Sequence, residues 1–288
     1  MADRQNDKWV LKTYGYDVAQ LYQTLYSISG HPIEQRRRLL LVEGPDDKKF
    51  YEQYVITGVP IFFSTQGCEN MNALVDLLHK DNTPFLAIQD SDFYNLDRNK
   101  QEKKDLFFTD KHDWEMTALA NFRVFITFMS KYGLKYIDIR RILIDSLKDL
   151  EYLSYFKWYN VRYSCNNDFV NINNAVQTAS TNELGDYTYL TSLIPGGWRR
   201  RRLITIQKAV LRDYILSQKS NRIEFHLITG HHLLDRFLFY FASMGIRITS
   251  RTISKDLMKS VGLDEFKKTN LYKQIKGWEV NHIKVFID

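Results

Sequence analysis

Short apolar runs alternate with amphipathic stretches over the first half of the chain. Leu39–Glu43 reads as a buried strand that ends on a carboxylate. "PDDKKFYEQYVI" from Pro45 reads as a helix with proline in its first turn and Phe50, Tyr54 and Val55 on its apolar side. "VPIFFSTQG" (59–67) predicts a second strand, and "ENMNALVDLLHK" (69–80) a helix with Met71, Leu74, Val75 and Leu78 on one stripe. "PFLAIQDSD" (84–92) and "DLFFTD" (105–110) predict two further strands. "HDWEMTALANFRVFITFMSKY" (112–132) predicts one helix with acidic residues in its first turn, where the helix dipole favours them. Upstream, Val18, Leu21, Tyr22, Leu25 and Ile28 recur at helical spacing behind Asp17, a suitable N-cap.

Continuous apolar strands alternating with helices predict an α/β fold, a parallel sheet with helices on both faces. Beyond residue 130 the period turns helical, in 137–156, 204–219, 230–245 and 264–278, while residues 160–197, rich in Asn, Ser, Thr and Tyr, read as an irregular loop-rich stretch. The expected organisation is a helical lead-in over 1–36, an α/β domain over 37–130, and a mostly helical region over 131–288 for dimerisation, partner or substrate binding.

In parallel sheets, functional groups gather beyond the carboxyl ends of the strands. Glu43, Asp90 and Asp92 all fall there. The two aspartates are spaced i, i+2, so on extended chain they point the same way and repel unless a cation lies between them. Three carboxylates with no soft ligand nearby select a hard cation, Mg²⁺ or Mn²⁺ in its place. Surface Asp-x-Asp pairs are otherwise commonly just solvated. Asp46 and Asp47, and Asp113 and Glu115, suit either a metal site or the N-terminal turn of a helix. His112 stands next to the acidic cluster, as a phosphate contact or a loop histidine. His231 and His232 point about 100° apart on a helix, which favours a structural role over a shared ion.

The composition adds charge to this picture. The chain of 288 residues is 44% hydrophobic and 14% aromatic, which is globular, and Lys plus Arg exceed Asp plus Glu by 40 to 34, for a net charge of +6. That balance is compatible with a polyanionic partner. Trp198 with Arg199, Arg200, Arg201 and Arg202 suits base stacking and phosphate contact, or equally a solvated helix start or an interface with an acidic partner. Arg36–Arg38 enter the first strand from the edge opposite Glu43 and read as a surface or partner patch. Cys68 and Cys165 support neither a disulfide framework nor a zinc site. The polar N-terminus and the lack of a bilayer-length apolar run lead to an expectation of a cytoplasmic protein. P-loop, His-Glu-x-x-His and Gly-x-Ser-x-Gly motifs are absent, which argues against the chain being its own ATPase.

A strand–Glu–Gly motif in "LLLVEG", followed by a strand–Asp-x-Asp motif in "FLAIQDSDF", resembles the TOPRIM signature of topoisomerases, primases and related nucleases. More narrowly, "LLLVEGPDDKKFYEQY", "FLAIQDSDF", "HDWEM" and "ITGHHLLDRF" resemble the TOPRIM-like nuclease family that contains AriB, the effector of the PARIS anti-phage defence system. The resemblance spans roughly 37–130 and extends more thinly to about residue 240. It implies a Mg²⁺-dependent nuclease with Glu43, Asp90, Asp92 and Glu115 catalytic. Metal would be held by these residues and Asp47. It further implies a bacterial setting, RNA such as tRNA as target, an ABC/SMC-like ATPase partner that restrains the effector, and a homodimer when active. A DNA nuclease, a primase- or topoisomerase-like enzyme and a non-catalytic regulator are the alternatives.

Overall fold

The computed structural model describes residues 20, 23, 39–64, 67–80, 82–97, 103–163, 169, 171–194, 208–218 and 224–288. Trp198, Arg199–Arg202, Arg36–Arg38, Cys165 and nearly all of the expected lead-in helix lie outside the described residues.

In chain order the elements are β1 (Leu39–Val42), α1 (Pro45–Tyr51), β2 (Ile61–Phe63), α2 (Gly67–Lys80), β3 (Phe85–Gln89), α3 (Tyr94–Asp97), β4 (Leu106–Phe108), α4 (Trp114–Ala120), α5 (Phe122–Ser130) and α6 (Tyr136–Arg162). There follow α7 (Ile172–Thr178), α8 (Thr181–Leu184), α9 (Tyr187–Ser192), α10 (Lys208–Gln218), α11 (Glu224–Leu227), α12 (Gly230–Ser243), α13 (Ser250–Met258), α14 (Leu263–Phe266) and α15 (Asn270–Glu279). The protein is thus α/β: a four-stranded, all-parallel sheet with interleaved helices, then a mostly helical region. Among the described residues no helix is long and apolar enough to cross a membrane.

The chain divides into two compact units. Of the described residues, the sheet unit contains those up to 90 and those in 103–110 and 263–288, and the helical unit contains those in 91–97 and 111–262. In the sheet the order is β2-β1-β3-β4. Every residue of β1 and β3 is buried, which explains why these central strands read as continuous apolar runs. Leu39 and Leu41 of β1 and Ala87 of β3 pack with Met71, Leu74, Val75 and Leu78 of α2, the stripe anticipated from the helical spacing. The register Val42↔Ile88 makes the exits of β1 and β3 neighbours. The unit is completed from the far part of the chain. Phe266 stacks on Tyr54 with ring centroids 4.3 Å apart, and Val55 bridges Phe286 in antiparallel fashion.

The helical unit is organised around α6 and α12. Arg236, fully buried on α12, donates through Nε to Asp149 of α6 at 2.7 Å and through its terminal nitrogen to the carbonyls of Val176 and Ala179 at 3.2 and 2.8 Å. It thereby satisfies carbonyls at the C-terminal end of α7, groups left without a partner by the helix itself.

Three expectations are corrected. The stretch 160–197 is not irregular where it is described: it continues α6 and then forms α7, α8 and α9. Its polar residues act as caps, with Ser180 and Glu183 making a reciprocal capping box and Asp186 accepting from the amide of Thr188 at 2.6 Å. The expected single helix over 112–132 is broken at Asn121, whose extended backbone ends α4 while its side chain accepts from the amides of Arg123 and Val124 to start α5. The helix expected over 264–278 is two helices, because Thr269 caps a new start.

Candidate functional site

Two polar groupings stand out, one in each unit. The first lies at the carboxyl edge of the sheet. Glu43 directly follows β1, and Gly44 and Pro45 turn the chain into α1. Glu43 is half-buried, and its Oε2 accepts from the backbone amide of Asp90 at 3.3 Å. Asp90, also half-buried, directly follows the paired strand β3. Ser64, past the end of β2, donates its hydroxyl to the Glu43 carbonyl at 3.2 Å and its amide to the Val42 carbonyl at 3.0 Å. Parallel pairing therefore delivers two acidic residues to one edge and pins the backbone beneath one of them.

Asp47 has a local task in the same turn. Its Oδ2 accepts from the Gly44 amide at 2.7 Å, so it reaches back over the start of α1. A Cβ on Gly44 would stand 3.2 Å from that oxygen, closer than most such contacts. Asp46 is exposed and pairs with Lys49 at 2.7 Å.

The second grouping is in the helical unit. Asp92, two residues beyond Asp90 in the chain, adopts a left-handed backbone with φ of 42°, uncommon for a residue with a side chain. Its amide donates to the carbonyl of His112 at 2.8 Å. The His112 ring is buried edge-on to Phe93, with Nδ1 at 3.8 Å from Oδ1 of Asp92 and 3.4 Å from Oδ2 of Asp113. Asp113 caps α4 by accepting from Met116 N at 2.8 Å, and its other oxygen accepts from Gly230 N at 2.6 Å. A Cβ on Gly230 would collide with Cβ of Glu115 and the carboxylate of Asp113, so this glycine is needed for close approach. Glu115 sits half-buried in the first turn of α4. His232 is buried on α12 beside the exposed His231, with ring centroids 4.3 Å apart.

The electrostatics of this grouping are mutual. Burial raises the Asp92 carboxyl, and Asp113 adds to the rise, while His112 and Lys157 oppose it. Burial also acts to raise Asp113, but the contacts from His112 and the amides of Gly230 and Met116 prevail and hold it below the usual carboxylate range. Burial lowers Lys157 to about 8, against the pull of Asp92 and Asp113. His232 is held well below its ordinary value by burial, then by Lys157, His231 and His112. Both ring nitrogens of His112 and Nε2 of His232 are buried without a hydrogen-bond partner. His112, Asp113 and His232 are buried, whereas the Asp92 side chain keeps 42% of its surface exposed, so the cluster meets water there.

Sequence reasoning missed Lys157. Its signal was present: a lone cation between the aromatic Phe156 and Trp158, both of which are buried. Its Nζ donates to Thr229 Oγ1 at 3.2 Å. Among the described residues, no three His, Cys, Asp or Glu side chains are grouped so that they could hold a metal ion. Comparison with protein-family models, curated proteins and solved structures returned no match to this chain.

Proposed function

We propose that the protein is a divalent-cation-dependent nuclease of TOPRIM type. The observation that carries this reading is the pairing of Glu43 and Asp90 at the exits of adjacent parallel strands, joined by the 3.3 Å contact from the Asp90 amide to Oε2 of Glu43. The donor set is hard oxygen, and Mg²⁺ is commonly bound by one or two carboxylates, with water and substrate phosphate supplying the rest. Glu43 and Asp90 would be the two protein ligands, with no third required. Asp92, whose left-handed backbone departs from the extended chain that the Asp-x-Asp spacing assumes, enters through the resemblance alone, as do Asp47 and Glu115. The bound ion supplies activation of a water and neutralisation of charge on the phosphate. The protein's own groups do the rest. Glu43 orients its carboxylate through the Asp90 amide, and Ser64 holds the strand exit in place. The net charge of +6 favours approach of a polyanion.

The resemblance extends this reading to a toxic effector in bacterial anti-phage defence, restrained by an ABC/SMC-like ATPase and active as a homodimer on RNA such as tRNA. The test is incubation of purified protein with tRNA, single-stranded RNA and plasmid DNA, with Mg²⁺ or with EDTA. Cleavage is expected with Mg²⁺, abolished by EDTA and by Glu43→Gln or Asp90→Asn. Cleavage that persists in Glu43→Gln, or no cleavage of any substrate together with undiminished toxicity of Glu43→Gln in cells, rejects the reading.

A further inference from the structure

A cleft of about 490 Å³ opens in the sheet unit, lined in part by Phe85 at the start of β3 and Asp105 just before β4. It therefore lies at the amino edge of the sheet, opposite the edge that carries Glu43 and Asp90. Its size is that of small-ligand sites. Asp105, held in a left-handed backbone with φ of 62°, organises the wall. Its Oδ1 accepts from the Trp278 indole at 2.7 Å, and its Oδ2 lies 3.1 Å from His79 Nε2. His282 stacks on Trp278 with centroids 4.5 Å apart and planes within 1° of parallel, and its Nδ1 donates to the Trp278 carbonyl at 2.7 Å. The rings are thus fixed before any ligand arrives, which removes part of the ordering cost of binding.

The lining chemistry is selective. Among the described residues the only acid lining the cleft is Asp105, already engaged by Trp278 and His79, whereas Lys104 brings an exposed cation and Asn281 a side-chain amide. Fixed aromatic rings take a planar π-system, a cation takes phosphate, and an amide reads the edge of a base. We propose that this cleft binds one nucleotide unit, its base against the Trp278–His282 rings and its phosphate towards Lys104. The unit is either a free mononucleotide or one unstacked residue of a nucleic-acid strand. The proposal stands on the cleft alone and is independent of the nuclease reading.

The test uses the full-length Glu43→Gln protein in EDTA, so that nothing depends on metal or cleavage. The Trp278 indole N–H resonance, assigned with Trp278→Phe, is followed during titration with AMP, adenosine, ribose 5-phosphate and a short single-stranded oligoadenylate. AMP is expected to shift this resonance and to bind more tightly than adenosine or ribose 5-phosphate. His282→Ala and Lys104→Glu, both at exposed side chains, are each expected to weaken binding; loss of one stacking ring corresponds to about fivefold to 150-fold. Tighter binding of the oligonucleotide than of AMP identifies a strand, and the reverse identifies a free nucleotide. Absence of any shift up to about 10 mM ligand, weaker than the weakest useful affinities, overturns the proposal. So does binding that is unchanged in both variants.

Discussion

At the scale of single residues, the buried polar side chains of the helical unit govern its pH response. His232 is kept neutral when folded, below its ordinary value, whereas the unfolded chain titrates near about 6.5. Below that pH the unfolded state binds the extra proton, so stability falls as pH falls. Urea denaturation between pH 7.5 and pH 5 is expected to show this loss, and His232→Leu to reduce its slope. Lys157 acts in the same direction, in a higher pH window. Its folded value of about 8 lies below the unfolded value near 10.5, so the unfolded state holds more protons between the two. Stability relative to Lys157→Met is expected to rise from pH 8 to pH 10, measured by the same denaturation. A Lys157→Met variant with an unchanged pH profile contradicts a buried, depressed ammonium. None of this was legible in the chain, because helical spacing identifies an apolar stripe but not which cation it encloses. Glu43 and Asp90 were legible, because strand ends can be read from where an apolar run stops.

At the scale of elements, polar residues act as fasteners between segments distant in sequence. Arg236 is the strongest case: its side chain is wholly buried, pairs with Asp149 and serves two carbonyls beyond it. Arg236→Ala leaves Asp149 buried without its cation and is expected to cost about 3–5 kcal/mol in chemical denaturation. Asp113 likewise joins α4 to the start of α12 through Met116 N and Gly230 N. Asp113→Ala removes a cap and leaves a buried amide without its acceptor, an expected loss of about 2–4 kcal/mol. The motif "ITGHHLLDRF" gains a physical account from these contacts. Its glycine permits approach to Asp113, and its arginine is Arg236. Element types followed from periodicity, but the breaks at Asn121 and Thr269 did not, because a side chain that caps a helix can equally well stand within one.

At the scale of the whole molecule, the sheet unit is sewn together from three separated stretches of chain. Asp110 accepts from the amides of Asn270 and Leu271 at 2.7 and 2.8 Å, capping α15 from a distant segment. Glu279, buried, accepts from Val285 N at 2.7 Å and Phe286 N at 2.9 Å, and the segment so held bonds Ile56 N to the Val285 carbonyl and Ile287 N to the Tyr54 carbonyl. Phe266 packs among Phe50, Tyr51, Tyr54 and Phe286. Phe266→Ala is expected to cost about 3–5 kcal/mol, and removal of 263–288 to leave the sheet unit open to proteolysis. Hydrophobic periodicity is local and carries no record of such a return, so "DEFKKTNLYKQIKGW" read only as another helix after the sheet.

This return has a consequence for synthesis. On the ribosome, β1 to β4 emerge long before Phe266 and Phe286, and until those rings arrive Tyr54 and Phe50 lack part of their packing. Pairing of the strands can begin early, but the unit bearing Glu43 and Asp90 reaches its full stability only after the chain through Phe286 has left the exit tunnel. A product that stalls or terminates before Phe266 would carry both acids without the rings that complete the packing around Tyr54.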